Sequence, residues 1–403
     1  MDKLYVALMG LPARGKSTLG KRIRHGLEQL GLRVAVFNNG ELRRTLLGSG
    51  SASPEFFNPI NDSALEQRER LAMLNMEKAR TWLHNEGDVA IIDATHGTLP
   101  QRNMLREMLG DHPVLFIECV NEDPLLLDMS MRRKAHLPEF SNMSEEEALA
   151  AFRKRVGYYE SVYTPLSHSE PGFWMLVDAV DNKILDEAPG NDIPSYAAIR
   201  DIITTHWVHN LYLVRHGETS YNKENRIGGN APLTEQGLAQ ARALAKHFHG
   251  MELPYLFTST LMRTRTTAAP LLAERPACKS LALAEFDEIN AGICEHMRYR
   301  DVRRKMPEIS RARAADKYGY AYPEGESYED LRLRVRTGLR RALFLAAEDT
   351  LMIIAHQAVN RVLLSLLLFN RREDVPYIFI PQDQYYRITI TQRKKSFELI
   401  NYI

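Results

Sequence analysis

The sequence predicts two α/β domains in tandem, and three observations support this interpretation. Strand and helix patterns alternate through the first half of the chain, which is typical of a parallel sheet covered on both faces. Residues 186–194 are rich in turn-forming residues and interrupt the pattern. The alternation then restarts. We therefore expect a first domain at 1–207, with a linker from about residue 181, and a second domain at 208–403.

In the first half, short apolar runs rich in β-branched residues predict strands, and apolar residues at helical spacing predict helices. The predicted strands are Leu4–Met9, Arg33–Phe37, Val89–Asp93, Val114–Glu118 and Phe173–Asp178. The predicted helices are Lys16–Leu30, which stops at Gly31, Leu65–Asn85 and Glu145–Tyr159.

The second half shows the same two patterns. The predicted strands are Leu211–Val214, Tyr255–Thr258 and Leu351–Ala355, followed by a hairpin of Tyr385–Thr391 and Ser396–Tyr402. The predicted helices run from a Thr234 cap to Phe248, from Leu261 onward, from a capping box at Ser327 to about Leu345, and from Gln357 to Leu368.

Composition excludes several classes of protein. The apolar fraction is 44% and the charged fraction 26%, as in ordinary globular proteins. The longest apolar stretch, Val362–Phe369, is too short to cross a bilayer. The three cysteines form no C-x-x-C pair, which favours buried thiols in a reducing, cytoplasmic compartment. We expect neither a membrane nor a nucleic-acid partner.

Charge is divided unequally between the halves. Residues 1–207 carry 23 Lys+Arg and 29 Asp+Glu, a net −6, whereas residues 208–403 carry 29 and 22, a net +7. The two values sum to the overall +1. The second half is therefore the better candidate for binding an anionic ligand, although many of its arginines fit solvated helix faces.

A phosphate-binding loop follows the first predicted strand. Residues 10–17 fit the pattern G-x-x-x-x-G-K-[ST] between a strand and a helix, the context that this motif requires. Lys16 would reach the β- and γ-phosphates, and the Ser17 hydroxyl would bind Mg²⁺. The alternative is a chance glycine-rich turn. The expected ATP-binding residues are Gly10, Leu11, Pro12, Ala13, Arg14, Gly15, Lys16, Ser17 and Thr18.

Asp93 ends a predicted strand and is the expected second Mg²⁺ residue of this site. It is equally placed to act as a base toward an acceptor hydroxyl, or merely to cap a turn. Four cations could hold a phosphorylated acceptor, although each alone fits a surface position: Arg44, Arg68, Arg102 and Arg155.

A histidine nucleophile is predicted in the second half. Arg215, His216 and Gly217 end an apolar strand, where ligands of α/β sheets bind. Attack of a neutral imidazole on phosphorus would give a phosphohistidine. Arg263 and His356 also follow predicted strands and could stabilise the transferring phosphoryl group. Glu288 is the candidate general acid, provided that burial raises its pKa.

Together these motifs closely resemble the bifunctional 6-phosphofructo-2-kinase/fructose-2,6-bisphosphatase family over nearly the whole chain. Arg-His-Gly alone would indicate only the broad histidine-phosphatase group, and its combination with an N-terminal phosphate loop is far more specific. The segments that carry the resemblance are Gly10–Lys16, Phe37–Arg44, Asp93–Thr95, Arg215–Glu218, Arg226–Gly229, Glu288–Glu295, Tyr322–Leu331 and His356–Arg361.

The resemblance implies an N-terminal P-loop kinase domain with a parallel sheet and a C-terminal histidine-phosphatase domain of the phosphoglycerate-mutase-like α/β type. The first would make fructose 2,6-bisphosphate from fructose 6-phosphate and MgATP, and the second would hydrolyse it without a cofactor. A homodimer is also implied. The implied kinase contacts to the sugar phosphate are Arg44, Arg68, Thr95, Arg155 and Tyr159, and the implied bisphosphatase contacts are Arg215, Asn222, Gly228, Tyr299, Arg313, Lys317, Tyr328, Gln357 and Arg361.

The chain also departs from the family pattern. Where the family has an arginine pair after Asp-Ala-Thr, this chain has Gln101 and Arg102. Of these two positions, we therefore expect only Arg102 to contact the acceptor. Asn121 replaces a cysteine, and the lid lysine is shifted to Lys134. Three residues replace basic ones in the phosphatase half: Gly319, Ala321 and Glu324.

Three other functions remain open at this point. The kinase and phosphatase could act on another phosphorylated metabolite or on a polynucleotide end, although the acidic first half argues against the latter. The phosphatase half alone could be active. The protein could also be a non-catalytic nucleotide sensor, against which the intact reactive residues argue.

Overall fold

The computed structural model describes residues 3–190, 192–205, 208–347, 350–369, 371–391 and 394–403. The chain forms two compact units, Met1–Thr205 and His206–Ile403. The predicted domain boundary at residue 207 lies outside the described residues. Within the described part of the chain, no helix is long and apolar enough to cross a membrane.

The first unit is built on a sheet of six strands in the order β2-β3-β1-β4-β5-β6. Neighbouring strands are parallel except β6, which runs antiparallel to β5. Every residue of β1 is completely buried, as its unbroken apolar run predicts. The strands are β1 (Leu4–Met9), β2 (Val34–Asn38), β3 (Val89–Asp93), β4 (Val114–Val120), β5 (Phe173–Asp178) and β6 (Lys183–Ala188).

Seven helices are described in the first unit, and most begin where a side chain caps the first turn. The oxygens of Asn38, Asn61, Thr98, Asp123 and Ser144 each accept a hydrogen bond from a backbone N–H. The helices are α1 (Lys16–Glu28), α2 (Asn39–Leu47), α3 (Asp62–Asn85), α4 (Leu99–Met108), α5 (Pro124–Ala135), α6 (Glu145–Glu160) and α7 (Tyr196–Thr204), with short 3-10 helices at Gly48–Ser51, Pro54–Phe57 and Pro138–Phe140.

The predicted linker from residue 181 is wrong. This segment contains β6, which extends the sheet, and α7, which buries Ile199, Ile202 and Ile203. A Cβ on Gly26 of α1 would approach the side chain of Ile202 to 2.7 Å, so α1 and α7 pack closely. Most of the turn-forming residues, from Pro189 to Pro194, come between these two packed elements.

The second unit also contains a sheet of six strands, in the order β12-β11-β7-β10-β8-β9. β7, β10, β8 and β9 are parallel, and β11 and β12 add an antiparallel hairpin at one edge, as predicted. The strands are β7 (Val208–Arg215), β8 (Tyr255–Thr258), β9 (Lys279–Ala282), β10 (Leu351–Ala355), β11 (Gln384–Ile390) and β12 (Lys395–Asn401).

Helices pack around this sheet. The Thr234 cap and the capping box of Ser327 with Asp330 form as predicted. The helices are α8 (Ser220–Glu224), α9 (Glu235–His247), α10 (Met262–Ala273), α11 (Tyr299–Lys305), α12 (Pro307–Ala315), α13 (Tyr328–Ala346) and α14 (Gln357–Leu367), with short 3-10 helices at Ala284–Phe286, Gly292–Cys294 and Arg372–Tyr377.

Both sheets bring the predicted reactive residues to the carboxyl ends of adjacent parallel strands. In the first unit, Leu8 of β1 pairs with Asp93 of β3, so the loop after β1 lies beside the end of β3. In the second unit, Arg215 of β7 pairs with Ala355 of β10. His216 and His356 therefore follow neighbouring strands at the same level.

Arg102 does not fulfil the predicted role of an acceptor contact, because its side chain is completely buried in an ion pair with Glu170. Its Nε donates to Glu170 Oε2 at 2.9 Å, and its Nη1 donates to the carbonyls of His96 and Thr164 at 3.1 and 3.0 Å. Burial alone would raise the pKa of the Glu170 carboxyl, but the hydrogen bonds from Arg102 and Arg106 hold it below its usual value. Arg102 thus fastens α4 to the segment before β5.

We predict that Arg102→Leu lowers the unfolding free energy of the first unit by about 3 kcal/mol, because the buried Glu170 carboxylate loses its main partner and keeps only its ion pair with Arg106. The loss should shrink as the pH falls below 4.5 and Glu170 becomes protonated. Denaturant titration of purified protein measures both effects. Arg24→Leu, which removes an exposed ion pair with Glu28, is the control and should cost less than about 1 kcal/mol. Equal losses in both variants would contradict the structural role of Arg102.

Candidate active sites

The phosphate loop has the backbone that its glycines predict. Gly10 has φ +130°, and a Cβ there would lie 2.5 Å from the Cys119 carbonyl oxygen, so only glycine fits. Gly15, in the left-handed region at φ +95°, directly precedes α1. Backbone N–H groups of this helix start are available to phosphate oxygens.

The half-buried side chain of Lys16 turns back onto this loop. Its Nζ donates to the carbonyl oxygens of Gly10 and Leu11, each at 2.7 Å. Burial lowers the pKa of Lys16 to about 8, and the nearby carboxylate of Asp93 opposes part of this effect. The ammonium is therefore a poorly solvated charge, which an anionic ligand would stabilise.

The residues predicted to hold Mg²⁺ fit such an ion. Asp93 is buried at the end of β3 and shares one cleft with Ser17. Asn38, the last residue of β2, pairs with Asp93 in the sheet, and its Nδ2 donates to Asp93 Oδ2 and so orients the carboxylate. Carboxylate and hydroxyl oxygens are hard ligands, which Mg²⁺ prefers together with phosphate oxygens.

The cleft beside the phosphate loop has a volume of about 210 Å³ and contains most of the predicted kinase residues. Gln101 lines it, whereas Arg102 does not. Lys134 is there as well, and burial lowers its pKa. Arg14 also donates to the carbonyl of Asn121. The predicted residues in the lining are Pro12, Ala13, Arg14, Gly15, Lys16, Ser17, Thr18, Arg44, Arg68, Asp93, Thr95, Arg155 and Tyr159.

Arg155 is held by partners that the sequence analysis missed. Its guanidinium lies 3.8 Å from the ring centre of Phe57 and 3.6 Å from Glu139 Oε1. Glu139 also pairs with the buried Arg43, which donates to Ser51 Oγ at 2.6 Å. Burial lowers the pKa of Arg155 to about 10. Predicting this arrangement would have required knowing that Glu139, which follows α5, is buried. Hydrophobic periodicity in the sequence does not show this.

His216, the predicted nucleophile, follows β7 and is 3% exposed. Its Nδ1 lies 2.8 Å from the Gly217 carbonyl oxygen, which can only accept, so Nδ1 carries the proton. Nε2 then carries the lone pair that would attack phosphorus, and Arg263 is its hydrogen-bond donor in this structure. Gln382 Nε2 donates to the His216 carbonyl at 3.1 Å and fixes the backbone.

Arg263 joins the two histidines. Its Nε lies 3.2 Å from His216 Nε2 and 3.1 Å from His356 Nδ1, and its Nη1 donates to the Gly229 carbonyl at 2.5 Å. The second ring nitrogen of His356 lies 2.8 Å from Ser259 Oγ. The two imidazole rings are 5.1 Å apart between centres. Three strand ends thus bring these predicted residues together.

Both imidazoles are kept neutral. Burial lowers the pKa of His216 well below its usual value, and the charges of Arg263 and Arg215 add to this effect. Burial and Arg263 lower the pKa of His356 in the same way. A neutral His216 has the lone pair that nucleophilic attack requires.

The other predicted residues of the second unit surround this centre. Arg215 donates to the Ile380 carbonyl at 3.0 Å, and burial lowers its pKa although Glu288 opposes this. Glu288 is half-buried, and its Oε1 accepts from the Ile289 N–H at 2.9 Å. Burial raises the pKa of Tyr299, and the charges of four other residues also affect this pKa: Arg313, Glu288, Arg361 and Arg215. These residues therefore form one electrostatic cluster.

The rest of the predicted set is placed as follows. Arg361 Nη1 donates to the Tyr328 hydroxyl at 3.1 Å, and Lys317 donates to the Pro376 carbonyl at 3.1 Å. Asn222 Oδ1 accepts from Gln382 at 3.0 Å, which links it to His216. Gly228 is in the left-handed region at φ +61°, and Gln357 is half-buried at the start of α14.

Sequence reasoning missed three further groups at this site: Gln382, Gly229 and Ser259. Gly229 ends the segment Arg226–Gly229 that carries the family resemblance, but no motif marks Gln382 or Ser259, which only the fold brings to this site. The residues that replace basic ones, Gly319, Ala321 and Glu324, are all exposed between α12 and α13, where Lys317 also lies.

Two family models match the two halves of the chain. The family model of 6-phosphofructo-2-kinase matches residues 1–193, and that of the histidine phosphatase superfamily (branch 1) matches residues 211–403. Among solved structures, the alpha-ribazole phosphatase from Shigella flexneri is 26% identical, with a TM-score of 0.44, covering 48% of this chain and 96% of its own.

Characterised relatives match both halves at once. The 6-phosphofructo-2-kinase/fructose-2,6-bisphosphatase of Gallus gallus is 32% identical over 95% of this chain and 82% of its own length. Those of Caenorhabditis elegans and, as form 1, of Homo sapiens are also 32% identical over 95% of this chain, covering 86% and 81% of their own lengths. The chain therefore belongs to the bifunctional 6-phosphofructo-2-kinase/fructose-2,6-bisphosphatase family.

Proposed function

We propose that the first unit transfers the γ-phosphoryl group of ATP to the 2-hydroxyl of fructose 6-phosphate, and that the second unit hydrolyses the resulting fructose 2,6-bisphosphate through a phosphohistidine on His216. The observation that carries the kinase half is a single cleft in which the phosphate loop and the cations Arg44, Arg68 and Arg155 face the same space. A phosphate donor and a phosphorylated acceptor can therefore meet there.

In the kinase cleft, the loop N–H groups and Lys16 would hold the β- and γ-phosphates of ATP. Mg²⁺ at Ser17 and Asp93 would neutralise charge on those phosphates. Arg44, Arg68 and Arg155 would hold the sugar phosphate, together with Thr95 and Tyr159. Positioning and charge stabilisation account for most of the catalysis of such a transfer.

In the phosphatase, His216 Nε2 would attack the 2-phosphorus while Glu288 gives a proton to the departing sugar oxygen. Arg215, Arg263 and His356 would stabilise the phosphoryl oxygens in the transition state. Water would then attack the phosphohistidine, with Glu288 taking its proton, and release inorganic phosphate. The cluster of Tyr299, Arg313, Lys317, Tyr328 and Arg361 would bind the 6-phosphate and the sugar.

Two observations favour a second candidate, in which the acceptor is another phosphorylated metabolite. Gln101 lines the kinase cleft where the family resemblance implies a cation. In the phosphatase, Glu324 is exposed where a basic residue is implied. Both changes would weaken binding of a 6-phosphate. In the extreme case, the first unit has no kinase activity and only the phosphatase is active.

The compartment and the assembly belong to the same proposal. The described cysteines Cys119, Cys278 and Cys294 are free thiols, and burial raises the pKa of each, which suits a reducing, cytoplasmic setting. A homodimer stays a prediction from the family resemblance.

The direct test uses His216→Ala, which removes the nucleophile that would otherwise consume the product. With MgATP and fructose 6-phosphate, this variant should accumulate fructose 2,6-bisphosphate, detected by chromatography. The double variant with Lys16→Met is the control and should form none. An active wild-type phosphatase combined with no product from His216→Ala would contradict the kinase assignment.

We also predict a pH dependence from Lys16. Because burial lowers its pKa to about 8, the ammonium of the free enzyme is lost as the pH rises above that value. The kcat/KM for ATP should then fall about tenfold per pH unit between pH 8.5 and 10. Lys16→Arg keeps its charge over this range and should show a flat profile. A fall of the same size in both enzymes would contradict the assignment.

A further inference from the structure

The segment that follows β3 contains a strained histidine. His96 has φ +42°, in the left-handed region that few residues other than glycine adopt. Neighbouring backbone holds it there, because Gly10 N–H donates to the Thr95 carbonyl at 3.1 Å and Thr164 N–H donates to the Gly97 carbonyl at 2.7 Å. Arg102 Nη1 donates to the His96 carbonyl itself at 3.1 Å. Strain held in this way by surrounding structure is concentrated at functional sites.

The side chain of His96 lines the kinase cleft together with Thr95 and Gln101. It is 6% exposed, and within the described part of the chain its buried Nε2 has no hydrogen-bond partner. Buried polar atoms are almost always paired, so an exception calls for an explanation. A ligand in the cleft would supply the missing partner.

The topology of the sheet places His96 between the two ends of the cleft. β3 lies between β1, which leads into the phosphate loop, and β2, which leads into α2 with Arg44. The segment after β3 therefore stands between the loop that would hold ATP and a cation that would hold the sugar phosphate. The acceptor hydroxyl groups would occupy this position.

The charge of His96 matches an uncharged partner. Burial lowers its pKa to about 4, and Lys16 and Arg102 add to this effect, so the imidazole is neutral at physiological pH. The phosphate groups of ATP and of the acceptor would be bound by the cations that already line the cleft. A neutral ring nitrogen suits a hydroxyl group, to which it can donate or from which it can accept.

We propose that His96 Nε2 hydrogen-bonds a hydroxyl group of the sugar phosphate acceptor, which makes His96 a specificity-determining residue of the kinase cleft. Arg102 acts through it as a positioning residue. This inference rests on the proposed function, because it takes the acceptor of the first unit to be fructose 6-phosphate.

Two substitutions separate binding from backbone strain. His96→Asn keeps a residue type that tolerates left-handed backbone, but its amide is too short to reach the position of Nε2. His96→Gln places an amide nearer that position. For each enzyme, ADP formation is measured against fructose 6-phosphate and against ATP. The KM for ATP shows that the first unit is folded, and phosphatase activity shows that the second unit is folded.

Loss of one neutral hydrogen bond predicts that His96→Asn raises the KM for fructose 6-phosphate about threefold to tenfold and leaves the KM for ATP within about twofold. On a logarithmic scale, the rise in KM for His96→Gln should be at most half of the rise for His96→Asn. Deoxy analogues of fructose 6-phosphate each lack one hydroxyl group. For the analogue without the contacted hydroxyl, wild type and His96→Asn should have the same KM.

Three results would overturn the inference: an unchanged KM for fructose 6-phosphate, a parallel rise in the KM for ATP, which indicates a purely structural role, or a His96→Gln enzyme no better than His96→Asn. Failure of the proposed function looks different. In that case wild type itself forms no ADP with fructose 6-phosphate, and the inference falls with it.

Discussion

Buried positive charge that meets only neutral acceptors is the feature on which both sites depend. Arg263 donates to two imidazole nitrogens and a carbonyl, and Lys16 donates to two carbonyls. None of these acceptors is charged, so the cost of removing the cations from water is only partly offset. An incoming phosphoryl group would offset it, so we expect both sites to bind phosphate esters in preference to neutral substrates.

Arg102 shows the contrasting case. It is buried like Arg263, yet the carboxylate of Glu170 neutralises it. Its charge is therefore unavailable to a ligand, and its function is to hold the backbone that carries His96. What distinguishes Arg263 from Arg102 is the partner of each guanidinium, because both residues are arginines and both are buried.

The sequence predicted β1, β3, β5, β8 and β10 to the residue, because each is a short, largely apolar run with clear ends. The two reactive centres were also predictable, since their motifs lie at strand ends. β6 and α7 were missed because the turn residues between them looked like a linker. The choice between Gln101 and Arg102 depends on which face of α4 meets the cleft, and a single turn of helix carries no periodic signal for that. The positions of His96 and Glu139 in the kinase cleft depend on long-range packing, which no local sequence pattern indicates.

The central claim is that His216 is the phosphate acceptor in the second unit, and covalent trapping tests it most directly. The wild-type enzyme would be mixed with fructose 2,6-bisphosphate that carries radioactive phosphorus only at the 2-position and then quenched in alkali within milliseconds. The account predicts label on His216 that is stable in alkali and lost in acid, and no label when the 6-position carries the radioactivity. Rapid hydrolysis of the bisphosphate with no label on the protein, or with label on another residue, would contradict it.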